Sequence, residues 1–227
     1  MKTTNAEAQP VSQDGTVTAK KTPRKRAQNL LGQTIGRKGA ETRERLIKAT
    51  VELLEKRSIR DVSVADIASL AGTSTSAFYV YFSDVSAAAL AAAECVEQIT
   101  PQIEALLLDS WTRDTAQERA IELVDAYVNF AGKHHAILRV RNLAADEGDK
   151  RFDEVRRQSI ARIHELLTAR IEHAHNGLDP SAGASAILAL MERIAAVARV
   201  PLPRRVSRKS LTAAAAFMIA SALAPRQ

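Results

Sequence analysis

The chain has 227 residues, of which 46% are hydrophobic and 26% charged, an ordinary globular composition with room for one or two domains. No apolar run reaches the ~18 residues of a membrane-spanning helix, no apolar signal segment opens the chain, and one cysteine excludes internal disulfides and thiolate metal clusters, so we expect a cytoplasmic protein. The net charge is +6, and because residues 46–227 carry 22 charges of each sign, the whole excess lies in residues 1–45 and predicts a polyanionic partner there.

The first 39 residues follow neither a helical nor a strand period, and we interpret residues 1–39 as a disordered N-terminal arm. Within it, residues 20–26 hold five positive charges in seven positions. Two interpretations stay open at this point. The arm is either a solvated tail that keeps the protein soluble, or a segment in which Arg24, Lys25 and Arg26 lie along nucleic-acid phosphates.

From residue 41 onward, apolar residues recur at helical spacing and no segment alternates as a strand does. The fold class is therefore all-α, with about nine helices. Local signals predict several helix starts: a Thr-Pro pair at Thr100, an Asp-Pro pair at Asp179, and a capping box that begins at Thr115. Cys95 falls on an apolar stripe and is expected to be a buried, reduced thiol.

Residues 63–82 predict two short helices joined by a tight turn. Ser63 can cap the first helix, Gly72 permits the positive φ angle that the turn needs, and the Thr-Ser pair that follows can cap the second helix. Phe78 and Phe82, four residues apart, share a buried face of that second helix. This is the design of a helix-turn-helix, whose second helix enters the major groove of DNA.

The face that this second helix would present to DNA is small and hydroxylated. It consists of Ser74, Thr75, Ser76, Tyr79 and Val80. Hydroxyls can donate to phosphates or base edges, and no Arg, Asn or Gln on this helix offers a bidentate base contact. We therefore expect sequence to be read through apolar contacts, water and DNA shape, with the phenols of Tyr79 and Tyr81 on phosphates.

Residues 41 to about 90 resemble the N-terminal domain of TetR-family transcriptional regulators. The resemblance rests on the motif T/S-V-x-D-I-A-x-x-A-G-x-S followed by L/F-Y-x-Y/H-F, which the chain matches at Ser63, Val64, Asp66, Ile67, Ala68, Ala71, Gly72, Ser74, Phe78, Tyr79, Tyr81 and Phe82. It implies a three-helix DNA-binding domain at residues 40–90, an effector-binding and dimerisation domain at residues 91–227, and a homodimer on a near-palindromic operator.

By position, the resemblance implies phosphate contacts for Thr42 and Ser63. It puts a further set near the bases: Thr73, Thr75, Ser76 and Val80. One departure stands out, because Val85 occupies the position where the family usually has a lysine at the start of the fourth helix. We hypothesise that other cations supply the missing phosphate anchor, namely Arg24, Lys25, Arg26, Arg37 and Lys38.

Residues 100–227 resemble the family's effector domain only in helical layout and length. The resemblance implies dimerisation through the last two long helices, about 181–199 and 208–223, and a pocket between residues 90 and 195 for a small hydrophobic effector. Arg139 and Arg141 could hold an anionic head group, with residues 146–149 as alternative acidic partners. The candidate lining residues, each with core packing as its competing interpretation, are Trp111, Tyr127, Phe130, His134, Arg139, Asn142 and Met191.

No motif of an enzyme is present: the chain has no nucleophile elbow, P-loop, dinucleotide fingerprint or HExxH sequence. Its histidines lack metal-ligand spacing, so we expect no catalytic residue, metal or cofactor. The main alternative is a helical protein that uses its basic tail on a membrane surface or a protein partner. We expect instead a cytoplasmic repressor whose partners are operator DNA, a second copy of itself and a small-molecule effector, and no membrane.

Overall fold

The computed structural model describes residues 30, 32–96 and 99–225, and within them it has ten α-helices and no β-strand. The all-α prediction is confirmed. A short 3₁₀ turn, Ile59–Asp61, links the first two helices. The helices are α1 (Arg37–Lys56), α2 (Val64–Leu70), α3 (Thr75–Tyr81), α4 (Val85–Glu94), α5 (Pro101–Leu108), α6 (Arg113–Lys133), α7 (His135–Asp146), α8 (Lys150–Ala174), α9 (Pro180–Val197) and α10 (Arg208–Leu223).

Three local predictions are corrected by the structure. The tenth helix is α7, which the sequence pattern does not predict: only His134 separates it from α6, and Gly132 lies within the last turn of α6 without ending that helix. The capping box of α6 begins at Thr112, whose Oγ1 accepts from the N–H of Thr115 at 3.3 Å, three residues earlier than predicted. Cys95 is exposed, because it is the C-cap residue of α4 and lies past the buried stripe of that helix.

The first four helices surround a small hydrophobic core, and we call them the head. Leu46 and Leu54 of α1, Ile67 of α2, Phe78 of α3 and Ala88 of α4 are fully buried there. Helices α2 and α3 have seven residues each, which is too short for a stable isolated helix. Their conformation therefore depends on this core, and the core fixes how the second helix of the motif is presented to solvent.

The remaining helices, apart from α7, form a body around α6. Helix α6 packs against α5, α9 and α10, and α8 also packs against these three helices. The prolines at the starts of α5 and α9 follow caps as predicted: Thr100 Oγ1 accepts from the N–H of Ile103 at 3.2 Å, and Asp179 Oδ1 accepts from the N–H of Ala182 at 2.7 Å. The buried body residues include Leu123, Tyr127, Ile163, Leu167, Met191 and Ile219.

Helix α7 joins the head to the body. Its residues Ile137 and Val140 are buried in the head core, together with Phe130 at the end of α6 and Phe152 at the start of α8. Helix α7 packs on α1 and α4 on one side and on α8 on the other. A displacement of α7 therefore changes the packing of the head helices, because closely packed interiors transmit such shifts. The predicted domain boundary between residues 90 and 91 stays a prediction.

Candidate nucleic-acid interface and effector pocket

The start of α2 is held by a capping box. Ser63 Oγ accepts from the N–H of Asp66 at 3.1 Å and donates to Asp66 Oδ2 at 2.8 Å, while the Ser63 N–H donates to the same carboxylate at 3.1 Å. These hydrogen bonds from Ser63 hold the pKa of Asp66 below its usual range. A phosphate contact of Ser63, which needs the hydroxyl proton, would have to compete with Asp66; this contact stays a prediction.

The turn between α2 and α3 is closed by two backbone hydrogen bonds. Gly72 has φ +64° and donates to Ser69 O at 3.1 Å, and Thr73 donates to Ala68 O at 2.9 Å, which is a Schellman motif. Ser74 then caps α3, since its Oγ accepts from the N–H of Ala77 at 3.1 Å. The left-handed φ explains the glycine, because other residues adopt this region only with strain.

Helix α3 separates a buried aromatic side from a solvent-facing polar side. Phe78 and Phe82 are buried, with ring centroids 5.6 Å apart. Thr75, Ser76 and Tyr79 are exposed, Tyr79 to 54%. The side of the helix that carries hydroxyls is therefore free to meet a partner, as a recognition helix must be.

The remaining predicted interface residues lie around this face. Thr73, Val80 and Tyr81 are half-buried, and Tyr81 packs against the start of α1, where a Cβ at Gly39 would stand 3.2 Å from the phenolic oxygen. Thr42 is half-buried on α1 and its Oγ1 donates to a backbone carbonyl at 3.0 Å.

The cations proposed to replace the missing lysine divide into two groups. Arg37 and Lys38 open α1 and are exposed, whereas Arg24, Lys25 and Arg26 lie outside the described residues. The chain enters the described part beside α3, where the N–H of Leu30 donates to Val80 O at 3.1 Å. The basic cluster at residues 20–26 therefore lies only a few residues before Leu30, whose backbone is bonded to the end of the recognition helix.

At the position where the family usually has a lysine, Val85 contacts the hydrophobic core of the head. It is half-buried there, and Asp84 caps α4, since its Oδ1 accepts from the N–H of Ala87 at 2.7 Å. The first turn of α4 thus offers its backbone dipole but no positive side chain.

A cavity of about 480 Å³ lies between α6, α7 and α9, within the size range of small-molecule sites. Of the seven candidate effector residues, Tyr127, Arg139 and Asn142 line it. Four others do not: Trp111, Phe130 and Met191 are buried in the cores, and His134 lies against the Phe130 ring with the centroids 5.0 Å apart. The lining also contains residues that the sequence did not point to, namely Ala131, His135, Leu138, Leu143, Glu192, Ala195, Ala196, Arg199 and Val200.

The cavity wall contains a buried polar network centred on Arg141, which is 1% exposed. Its guanidinium donates to Asn142 Oδ1 at 2.8 and 3.0 Å and to Ser159 Oγ at 2.8 Å, and it lies 3.8 Å from Glu192 Oε1. Burial lowers the pKa of Arg141 and raises that of Tyr127. The sequence offers residues 146–149 as acidic partners of Arg141, as the alternative to a ligand head group; the carboxylate that the fold brings near Arg141 is that of Glu192.

Helix α9 is the one unbent helix in the described part of the chain that meets a length and hydropathy test for a membrane span, with mean hydropathy 1.2 and 39% of the span buried. A core helix meets the same test, and α9 packs on α6, α8 and α10. Among the described residues, no group of three or more His, Cys, Asp or Glu side chains could hold a metal ion.

The fold and the helix-turn-helix define the class of protein: a DNA-binding transcriptional regulator with a helical body. Two family models match the chain, "Bacterial regulatory proteins, tetR family" over residues 46–93 and "Tetracyclin repressor-like, C-terminal domain" over residues 104–223. The second covers more than half of the chain, and the chain therefore belongs to the TetR family of transcriptional regulators. Members of this family are regulators and not enzymes.

Solved structures agree with this fold. A protein of unknown function from Rhodococcus sp. RHA1 is 25% identical, with a TM-score of 0.63 over 81% of this chain and 95% of that one. The regulator FadR from Bacillus subtilis, in complex with stearoyl-CoA, is 16% identical, with a TM-score of 0.59 over 79% and 98% of the two chains. FadR from Bacillus halodurans, a fatty acid degradation regulator, is 15% identical, with a TM-score of 0.58 over 82% and 97%. No curated protein matches the chain.

Proposed function

We propose that this protein is a cytoplasmic, homodimeric repressor that binds a near-palindromic operator and loses affinity for it when a small molecule occupies the body. The observation that carries the proposal is the exposed hydroxyl side of α3, held in place by a buried aromatic side. In this arrangement Thr73, Thr75, Ser76 and Val80 approach base edges, and Tyr79 and Tyr81 contact phosphates.

Dimerisation is supported by an unpartnered face along α9 and α10. Most of its residues are small or apolar and Arg193 is charged; the exposed members are Ala182, Ala186, Ala189, Arg193, Ala213, Ala214, Phe217, Met218 and Ser221. A second copy related by a two-fold axis would cover this face and complete a four-helix bundle. Two recognition helices would then lie one helical turn of DNA apart, ~34 to 36 Å, and read two half-sites.

Effector response is supported by the position of the cavity. Its α7 wall also packs on α1 and α4 of the head, so a ligand that prefers a different setting of α7 would also favour a different setting of the head. A dimer whose recognition helices no longer match successive major grooves binds operator weakly. This sequence of events makes the effector an inducer that releases the repressor.

The experiment compares binding of the purified protein to duplex DNA and to anionic lipid vesicles at one salt concentration. The proposal predicts sequence-selective binding to a near-palindromic duplex and none to vesicles. Thr75→Ala and Val80→Ala should change which base is preferred, because both side chains are placed at base edges. Binding to vesicles in place of duplex would favour the membrane-surface function of the basic tail instead, and unchanged base preference in both variants would show that α3 does not read DNA.

A further inference from the structure

The charged residues around the cavity are not balanced. Asp146 and Glu192 both have cationic partners: Arg156 lies 3.1 Å from Asp146 and 3.5 Å from Glu192, and Arg141 lies 3.8 Å from Glu192. These four charges cancel. Two further positive charges remain in the lining, on Arg139 and Arg199.

Arg139 and Arg199 pair only with neutral groups. Arg139 Nη2 donates to Leu54 O at 3.3 Å and Arg199 Nη1 donates to Gly132 O at 3.3 Å. Within the described residues, neither guanidinium has a carboxylate within 4 Å. Both side chains are exposed, so they lie where the cavity opens to solvent.

The exposed surface of the cavity lining is mostly apolar. It includes Ala131, Leu138, Leu143, Ala195 and Val200, and Leu143 and Val200 are exposed although they are large and hydrophobic. An apolar body would cover them, and an anionic head would neutralise the two guanidinium groups, since carboxylates are the geometric match of arginine. Resting on the proposed function, we infer that the effector is an amphipathic organic acid whose carboxylate binds Arg139 and Arg199.

Arg139 also couples the cavity to the head. Leu54 O is one of the last four carbonyls of α1, and these have no N–H donor within the helix. The guanidinium of Arg139, on α7, donates a hydrogen bond to Leu54 O and places a positive charge at this helix end. A ligand carboxylate is a stronger acceptor for a guanidinium than a neutral carbonyl is. Binding therefore exchanges a contact between α7 and the head for a contact with the ligand, and this exchange weakens operator binding.

The ligand class is tested by titration calorimetry with three probes of equal chain length: octanoate, octanol and octylammonium. Octanoate should bind best. Arg139→Gln and Arg199→Gln should each weaken octanoate binding roughly tenfold, the lower end of what a hydrogen bond to a charged group contributes. Arg204→Gln is the matched control, because Arg204 is exposed, forms no ion pair within the described residues and does not line the cavity, and it should bind octanoate as the wild type does.

The coupling is tested by operator affinity at saturating octanoate, so that a loss of ligand affinity and a loss of coupling are separated. Arg199→Gln should keep the full effect of bound octanoate on the operator, whereas Arg139→Gln should lose it even when saturated. Equal binding of octanol, or full coupling in Arg139→Gln, would overturn the inference. If operator binds but no probe does, the inference fails and the proposed function stands; if no duplex binds in any condition, the proposed function fails and calorimetry still decides the ligand class.

Discussion

Truncation of one exposed aromatic residue should break the proposed dimer. Phe217 on α10 is 66% exposed, and burying a whole phenylalanine side chain contributes about 1.5–3 kcal/mol. Covering the exposed two thirds would contribute about 1–2 kcal/mol, and two-fold symmetry doubles this to about 2–4 kcal/mol per dimer. Since 1.4 kcal/mol corresponds to a factor of ten, Phe217→Ala should raise the dimer dissociation constant roughly 30- to 1,000-fold.

The assay is a sedimentation-velocity series over protein concentration, with a matched control at another exposed apolar residue. Leu108 at the end of α5 is 61% exposed, and α5 packs mainly on α6 and α8, so Leu108→Ala should leave the dissociation constant unchanged. Phe217→Ala should also require more protein to occupy the operator, because a monomer offers one recognition helix. Equal dissociation constants for the two variants would refute the assignment of this face to the dimer.

Three further predictions concern the head and the arm. Tyr79→Phe should weaken binding to all duplexes alike, because it removes only a phosphate contact, whereas Thr75→Ala should change the base preference at one operator position. Competition binding with single-base operator variants distinguishes the two effects. A base-specific effect of Tyr79→Phe would contradict the assignment of Tyr79 to a phosphate. Ser63→Ala should lower the free energy of unfolding by about 1 kcal/mol through loss of the α2 cap, with a raised Asp66 pKa visible by NMR. Removing residues 1–29 should reduce the log-log salt slope of operator binding by about 0.9 for each phosphate that the arm neutralises, and an unchanged slope would show that the arm does not touch DNA.

The arm truncation stops at residue 29 for a structural reason. Leu30 donates to Val80 O at the end of α3, and the segment that follows leads into α1 beside Tyr81. A longer deletion would disturb the recognition helix itself and would confuse loss of charge with loss of structure. The shorter deletion removes the cluster at residues 20–26 and leaves these contacts in place.

The helix-turn-helix could be predicted from sequence because its signals are local. The cap at Ser63 bonds three residues ahead, the Gly72 turn closes within five residues, and the Phe78–Phe82 pair lies on one helical face. Such features depend on spacing along the chain, which a sequence displays directly. The all-α class followed from the same kind of periodicity.

The cavity could not be predicted in the same way, because its residues meet only in three dimensions. Arg139 bonds to Leu54, 85 residues earlier, and Arg141 faces Glu192 on another helix. Residues with an obvious ligand-binding chemistry, such as Trp111, turned out to serve packing: its indole N–H donates to Leu106 O at 2.8 Å inside the core. Burial and the partners of each polar group decide which residues face a cavity. Both depend on the three-dimensional fold, so the spacing of residues along the chain does not reveal them.

DNA reading by paired α3 helices is tested by selecting, from a pool of genomic DNA, the fragments that the purified, effector-free protein binds. The bound fragments should share a near-palindrome whose half-sites are centred one helical turn, or a whole number of turns, apart. Recovered fragments that share no symmetric sequence would contradict the claim that paired α3 helices read duplex DNA.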